Sequence, residues 1–192
     1  MYDPRRIVGD FFEQNVMELF GLVRTDMEQA GTVPDLLSRD GSFFVEVKAS
    51  SHSNGGVINK GQLYRFDDNI DKRRFYAFAY HSIARHMARD YPTEEELRAV
   101  LKMRSLFLFP FSVTKAYFEA LPKKVTKGHD DFVQLKESDA KRIFYKDNDI
   151  WNYIGLRPED YGYEKPHESV HIITRGDYLK DEILYSLDLK LL

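Results

Sequence analysis

Residues 33–50 read Val33-Pro34-Asp35-Leu36-Leu37-Ser38-Arg39-Asp40-Gly41-Ser42-Phe43-Phe44-Val45-Glu46-Val47-Lys48-Ala49-Ser50. Two apolar runs flank an Asp-Gly pair, a strong hairpin signal. With Asp40 and Gly41 as the two loop residues, Arg39 faces Ser42, Leu37 faces Phe44, Leu36 faces Val45, and Asp35 faces Glu46. Opposed residues on antiparallel strands project to one side, with Cβ atoms roughly 4.5–5.5 Å apart. Lys48 lies two residues beyond Glu46 and so projects to the same side. A one-residue slip would scatter all three.

Two carboxylates that close repel each other, and one pKa rises. A divalent cation between them removes the conflict. A hard cation such as magnesium favours oxygen ligands and keeps waters in its remaining positions. Such an ion makes water easier to ionise and offsets charge growing on phosphate oxygens. Lys48 is suited to orienting the attacking water or stabilising the developing negative charge.

Pro34-Asp35 followed by Glu46-Val47-Lys48 resembles the signature of the PD-(D/E)XK nucleases, over about Arg6 to Tyr80. That family includes restriction endonucleases, Holliday junction resolvases and repair nucleases. The resemblance implies an α/β, restriction-endonuclease-like three-layer sandwich, a mixed central sheet flanked by helices, with a C-terminal α+β extension. It implies Asp35 and Glu46 as metal ligands, Lys48 as the catalytic lysine, and Mg2+ or Mn2+ as cofactor. Glu13, in Gly9-Asp10-Phe11-Phe12-Glu13-Gln14, matches a first-helix glutamate that many members add as a ligand. Gln62, in Lys60-Gly61-Gln62-Leu63-Tyr64-Arg65-Phe66, matches a glutamine on the helix after the motif. One branch carries a tyrosine four residues later, where this chain has Phe66. DNA is the substrate the resemblance implies, and it admits a homodimer that cuts two strands.

Elsewhere the chain reads as alternating helices and strands. Helical spacing from Arg6 predicts an amphipathic helix ending near Gly21. A short strand is expected over 22–27, a flexible loop over 51–56 (Ser-His-Ser-Asn-Gly-Gly), a helix over 59–70 and a buried strand over 75–80. Helices are expected over 83–89 and over 93–103, the latter capped by Thr93 before Glu94, Glu95 and Glu96. A strand over 106–113 with Pro110 near its end, a helix over 114–121, a polar loop over 123–131 and a helix near 139–145 follow. A soft boundary near Pro92 divides a nuclease core, 1–92, from residues 93–192. The latter complete the same domain or form a small substrate-recognition subdomain.

The 192 residues suit one domain, and 43% hydrophobic and 14% aromatic residues support a sizeable core. Without cysteine there is no disulfide framework or thiolate metal site. No apolar run is long enough to span a membrane, and the N-terminus lacks an apolar signal region. A soluble, cytoplasmic protein is expected. The net charge of -3 is acid for a nucleic-acid binder, so phosphate contact must be local. The candidates are Lys60, Lys72, Arg73 and Arg74, then Arg85, Arg89, Lys123, Lys124 and Lys127.

Two other readings come from different classes. One is a nuclease-like fold that binds nucleic acid or protein without cutting. The other is a zinc protease, because His167-Glu168-Ser169-Val170-His171 matches His-Glu-x-x-His. That chemistry needs a helix, whereas residues 169–174 read as a strand, which would set the histidines about 13 Å apart. His81 and His86 suit no standard metal pair, and Arg175-Gly176-Asp177 reads as a turn.

Overall fold

Alternation along the strands sorts side chains onto two faces, and that sorting positions everything else. The computed structural model describes residues 2–25, 34–67, 73–83, 86–124, 131–144 and 170–173. Among these, six strands form a mixed sheet in the order β1 (Val23–Arg24), β2 (Leu36–Leu37), β3 (Phe43–Ser51), β5 (Arg73–His81), β6 (Met103–Pro110) and β8 (Val170–Ile173). Among the described strands of this sheet, β3 and β5 pair in parallel and the other neighbours are antiparallel. A separate ribbon joins β4 (Gly56–Asn59) to β7 (Phe132–Leu135).

Phe43, Val45, Val47, Phe75, Ala77, Ala79, Leu106 and Leu108 pack on one face with Ile7, Val8, Phe12, Val16 and Phe20 of α1 (Pro4–Phe20). Leu97 of α4 (Glu94–Val100) joins them. Phe44, Tyr76, Phe78, Tyr80, Phe107 and Phe109 pack on the opposite face. There they meet Leu63 of α2 (Lys60–Asp67), the ribbon, α5 (Phe111–Ala120) and α6 (Glu137–Phe144). The class is therefore mixed α/β with helices on both faces of the sheet. β6 and α5 extend the sheet and core built by residues before Pro92. No helix among the described residues is long and apolar enough to cross a membrane.

Local chemistry explains the ends of these elements. Asp3 accepts from the Arg5 N–H and Pro4 opens α1, where a missing N–H costs nothing. Gly21 closes α1 at φ 63°, as the sequence predicts. Thr93 and Glu96 form a reciprocal capping box on α4, which ends at Val100, before the Met103 expected. The expected 83–89 helix is present as a short turn, α3 (Met87–Asp90). α6 docks onto β6 through buried Glu137, which accepts from Ser105 Oγ at 2.8 Å and pairs with Arg104 at 3.0 Å.

The hairpin keeps the expected register with a different turn. Leu36 faces Val45 and Leu37 faces Phe44. The loop has four residues, 39–42, closed by Ser38 N–H donating to the Phe43 carbonyl at 2.9 Å. Asp40 Oδ1 accepts from Ser38 Oγ, Ser42 Oγ and Ser42 N–H, and these bonds hold its carboxyl down at about 2.

Residues 51–56 are not the loose loop the composition suggests. Gly55 turns the chain at φ 83°, and a Cβ there would stand 2.7 Å from the Leu135 carbonyl oxygen. A Cβ on Gly56 would stand 2.7 Å from the ring of fully buried Phe78 and 3.3 Å from Lys48 Cβ. The bare backbone lets β4 lie against Lys48. Gly56→Ala should therefore destabilise the fold by about 1–3 kcal/mol through overpacking. Urea unfolding checks this, and an unchanged midpoint would show that β4 does not press on Phe78.

Candidate active site

The hairpin register and the β3–β5 pairing bring Asp35, Glu46 and Lys48 together. Asp35 precedes β2, and its Oδ2 accepts the Val47 N–H at 2.8 Å. Glu46 is on β3, 3% exposed, facing the aromatic layer of Phe44 and Tyr76. Lys48 Nζ donates to Glu46 Oε1 at 2.6 Å and to Gln62 Oε1 at 2.6 Å. Gln62 Nε2 donates to the same Glu46 Oε1. Gln62 is held for this by the first turn of α2, where its N–H donates to Asn59 Oδ1 at 2.7 Å.

Glu13 reaches the cluster from α1. Its charge interacts with those of Asp35 and Lys48, and its Oε2 lies 3.5 Å from Arg24 Nη2 on the edge strand β1. Sequence reading overlooked Arg24. A two-residue strand carries little periodicity, yet its alignment with Leu36 sets Arg24 beside Asp35. Tyr76 is a second addition. It aligns with Glu46 across the parallel pair and is 1% exposed, a core residue as expected. Burial, then the charges of Glu46 and Asp35, push its phenol well above its usual range.

Electrostatically the cluster is acid, with Glu46 buried and Glu13, Asp35 and Lys48 half-buried around it. Burial pushes Glu46 up to about 7, the Asp35 charge adds to this, and Lys48 opposes it. Burial also raises Asp35, against the pull of Lys48 and the Val47 N–H. Glu13 rises to about 7 through burial and the Asp35 charge, with Arg24 opposing. Among the described residues, these three carboxylates thus share Lys48 and Arg24 as opposing charges. Among the described residues, no three His, Cys, Asp or Glu side chains already form a metal cage. Magnesium needs only one or two carboxylates beside water and substrate oxygens, and the oxygen-only donor set here fits such an ion.

The basic candidates divide. Arg74 aligns with Phe44, two residues along from Glu46 and on its face, with its guanidinium 4.4 Å from the Phe111 ring centre. Arg73 points to the other face, 5.2 Å from Phe75. Lys60, beside Gln62 in sequence, lies 3.9 Å from Asp131. Lys123 donates to carbonyls at the end of α5, including Glu119 at 3.2 Å, a structural cap. Lys124 donates to Gln134 and Arg89 pairs with Asp90. Lys72, Arg85 and Lys127 lie outside the described residues, as do His167, Glu168 and the Arg-Gly-Asp at 175–177. His171 lies in β8, a strand, as the sequence predicts. His81 is buried and stacked on Phe12, whereas His86 is exposed. No protein-family model matches the chain, and no curated protein matches its sequence.

The Glu46 carboxyl makes a pH signature. Between pH 4.5 and about 7 the folded chain holds a proton that the unfolded chain releases. Stability therefore falls as pH rises through that window and stays lower above it. Glu46→Gln removes the ionisation and should stabilise the protein at pH 8 in EDTA by on the order of 2 kcal/mol, with little gain at pH 4. Equal differences from wild type at both pH values, measured by urea unfolding, would contradict this.

Proposed function

We propose that the protein is a divalent-metal-dependent nuclease of the PD-(D/E)XK type, with a restriction-endonuclease-like fold, hydrolysing phosphodiester bonds in DNA. The observation that carries the reading is the meeting of Asp35, Glu46, Lys48 and Gln62 on one side of the central sheet. A helical glutamate, Glu13, is close enough for its charge to interact with those of Asp35 and Lys48.

Asp35 and Glu46 would hold the ion, with Glu13 as a third oxygen donor. When bound, magnesium supplies easier ionisation of water and charge neutralisation on the phosphate. A nearby cation favours the charged form of each carboxylate, reversing the burial that raises them. Gln62 binds Lys48 through its carbonyl and Glu46 through its amide, which fixes both side chains at once. Lys48 then presents its ammonium to the phosphate oxygens or to the attacking water. The buried, low-dielectric position of Glu46 strengthens each of these interactions.

Incubation with supercoiled plasmid and linear DNA tests the reading. Cutting is expected with magnesium or manganese and not with EDTA. Lys48→Ala should slow it by about 100-fold or more, the loss typical of a transition-state charge contact. Wild type and Lys48→Ala acting alike would remove the assignment.

A further inference from the structure

Where the β2–β3 ladder stops at Leu36 and Val45, three charged side chains from three elements interact. Asp35 lies one residue past the end of that ladder. Arg24, on the edge strand β1, aligns with Leu36 and so projects, like it, to the α1 side of the sheet. Glu13 comes from α1 itself, with its Oε2 3.5 Å from Arg24 Nη2. The Arg24 charge acts on Asp35 as well as on Glu13. The backbone holds it there, because Thr25 N–H donates to the Asp35 carbonyl at 3.1 Å and Thr25 Oγ1 donates to the Pro34 carbonyl at 2.5 Å.

The Arg24–Glu13 pair does little for the fold. The Arg24 side chain is 41% exposed. Their separation exceeds the ~2.7–2.9 Å of a close charge-assisted bond, and an exposed pair contributes about 0–1 kcal/mol. Other cations around the site are committed elsewhere. Lys48 donates to Glu46 and Gln62, and Arg74 lies over the Phe111 ring. Arg24 instead places a planar fork of N–H donors, loosely engaged, beside two of the carboxylates proposed to hold the ion.

We infer that Arg24 is the phosphate clamp of the site, its guanidinium passing from Glu13 to the non-bridging oxygens of the phosphate that is cut. This assignment rests on the nuclease reading and adds to it a further residue that touches substrate. In the metal-free protein Glu13 holds Arg24, and the surrounding carboxylates repel a phosphate. With Glu13 given over to an ion at Asp35 and Glu46, Arg24 loses its carboxylate while the acid charge is offset. Phosphate is the anion its fork then fits, since two oxygens can be bound at once. Glu13 thus couples loading of the ion to capture of the substrate.

Arg24→Gln and Arg24→Lys separate this role from simple support of Glu13. With plasmid DNA in magnesium, Arg24→Gln should lower kcat/KM by about 100-fold. Arg24→Lys should fall between it and wild type, because an ammonium keeps the charge and loses the fork. Titrated with Mn2+ at pH 8 without DNA, Arg24→Gln should bind the ion as tightly as wild type or more tightly, since a like charge has left its neighbourhood. The Tm of both variants should stay within about 4 °C of wild type. If wild type cuts DNA and Arg24→Gln cuts at the same rate, this assignment falls while the nuclease reading stands. Mn2+ affinity lowered by about tenfold or more in Arg24→Gln would make Arg24 a support for Glu13, and would also overturn it. A Tm lowered beyond that range in both variants would place Arg24 in the fold and not in the chemistry, with the same consequence. A wild type that does not cut DNA ends the nuclease reading and this assignment with it.

Discussion

The antiparallel register of β2 on β3 is the constraint on which the site depends. Leu36 against Val45 and Leu37 against Phe44 fix which residues share a side, and the pleat fixes the rest. Moved by one residue, Glu46 and Lys48 would point into the layer under α1. The apolar residues Val45 and Val47 would then face Gln62. Burial of Val45 and Phe43 on one face therefore secures the placement of Glu46 on the other. The packing that specifies the fold also specifies the chemistry.

The acid cluster carries a cost that the rest of the molecule offsets. Burial of Glu46 and partial burial of Asp35 penalise their charged forms, and Lys48 opposes only part of the penalty. Such arrangements lower stability and are concentrated where function requires them. The offset comes from the two apolar layers. Phe12, Val16 and Leu36 are fully buried on one side of the sheet, and Tyr76, Phe78 and Phe107 on the other. β4 adds a clamp, because its glycine backbone rests on Phe78 and the Lys48 stem. A rigid scaffold of this kind is what a site needs if its groups are to stay aligned.

Much of this was legible in the sequence, for identifiable reasons. The Asp-Gly pair between apolar runs gave the register of β2 and β3, although the loop has four residues and not two. Adding one residue to each side of a loop leaves every pairing unchanged. Thr93 and Gly21 announced helix ends through capping chemistry that is local by nature. β4 was not legible, since Gly55 and Gly56 read as punctuation, and their contact with Phe78 and Leu135 is long-range. The same limit hid Arg24, whose partner Glu13 lies on another element. Lys123 looked like a phosphate contact because charge alone does not reveal that its ammonium caps α5.

The central claim is that Asp35 and Glu46 together hold a divalent cation. Titration of the metal-free protein with Mn2+, followed by calorimetry or by loss of the free-ion electron paramagnetic resonance signal, tests it without reference to activity. Binding of about one ion per chain is predicted for wild type, weakened about 10-fold or more by Asp35→Asn and by Glu46→Gln. No binding by wild type, or binding that both variants retain in full, would contradict the account.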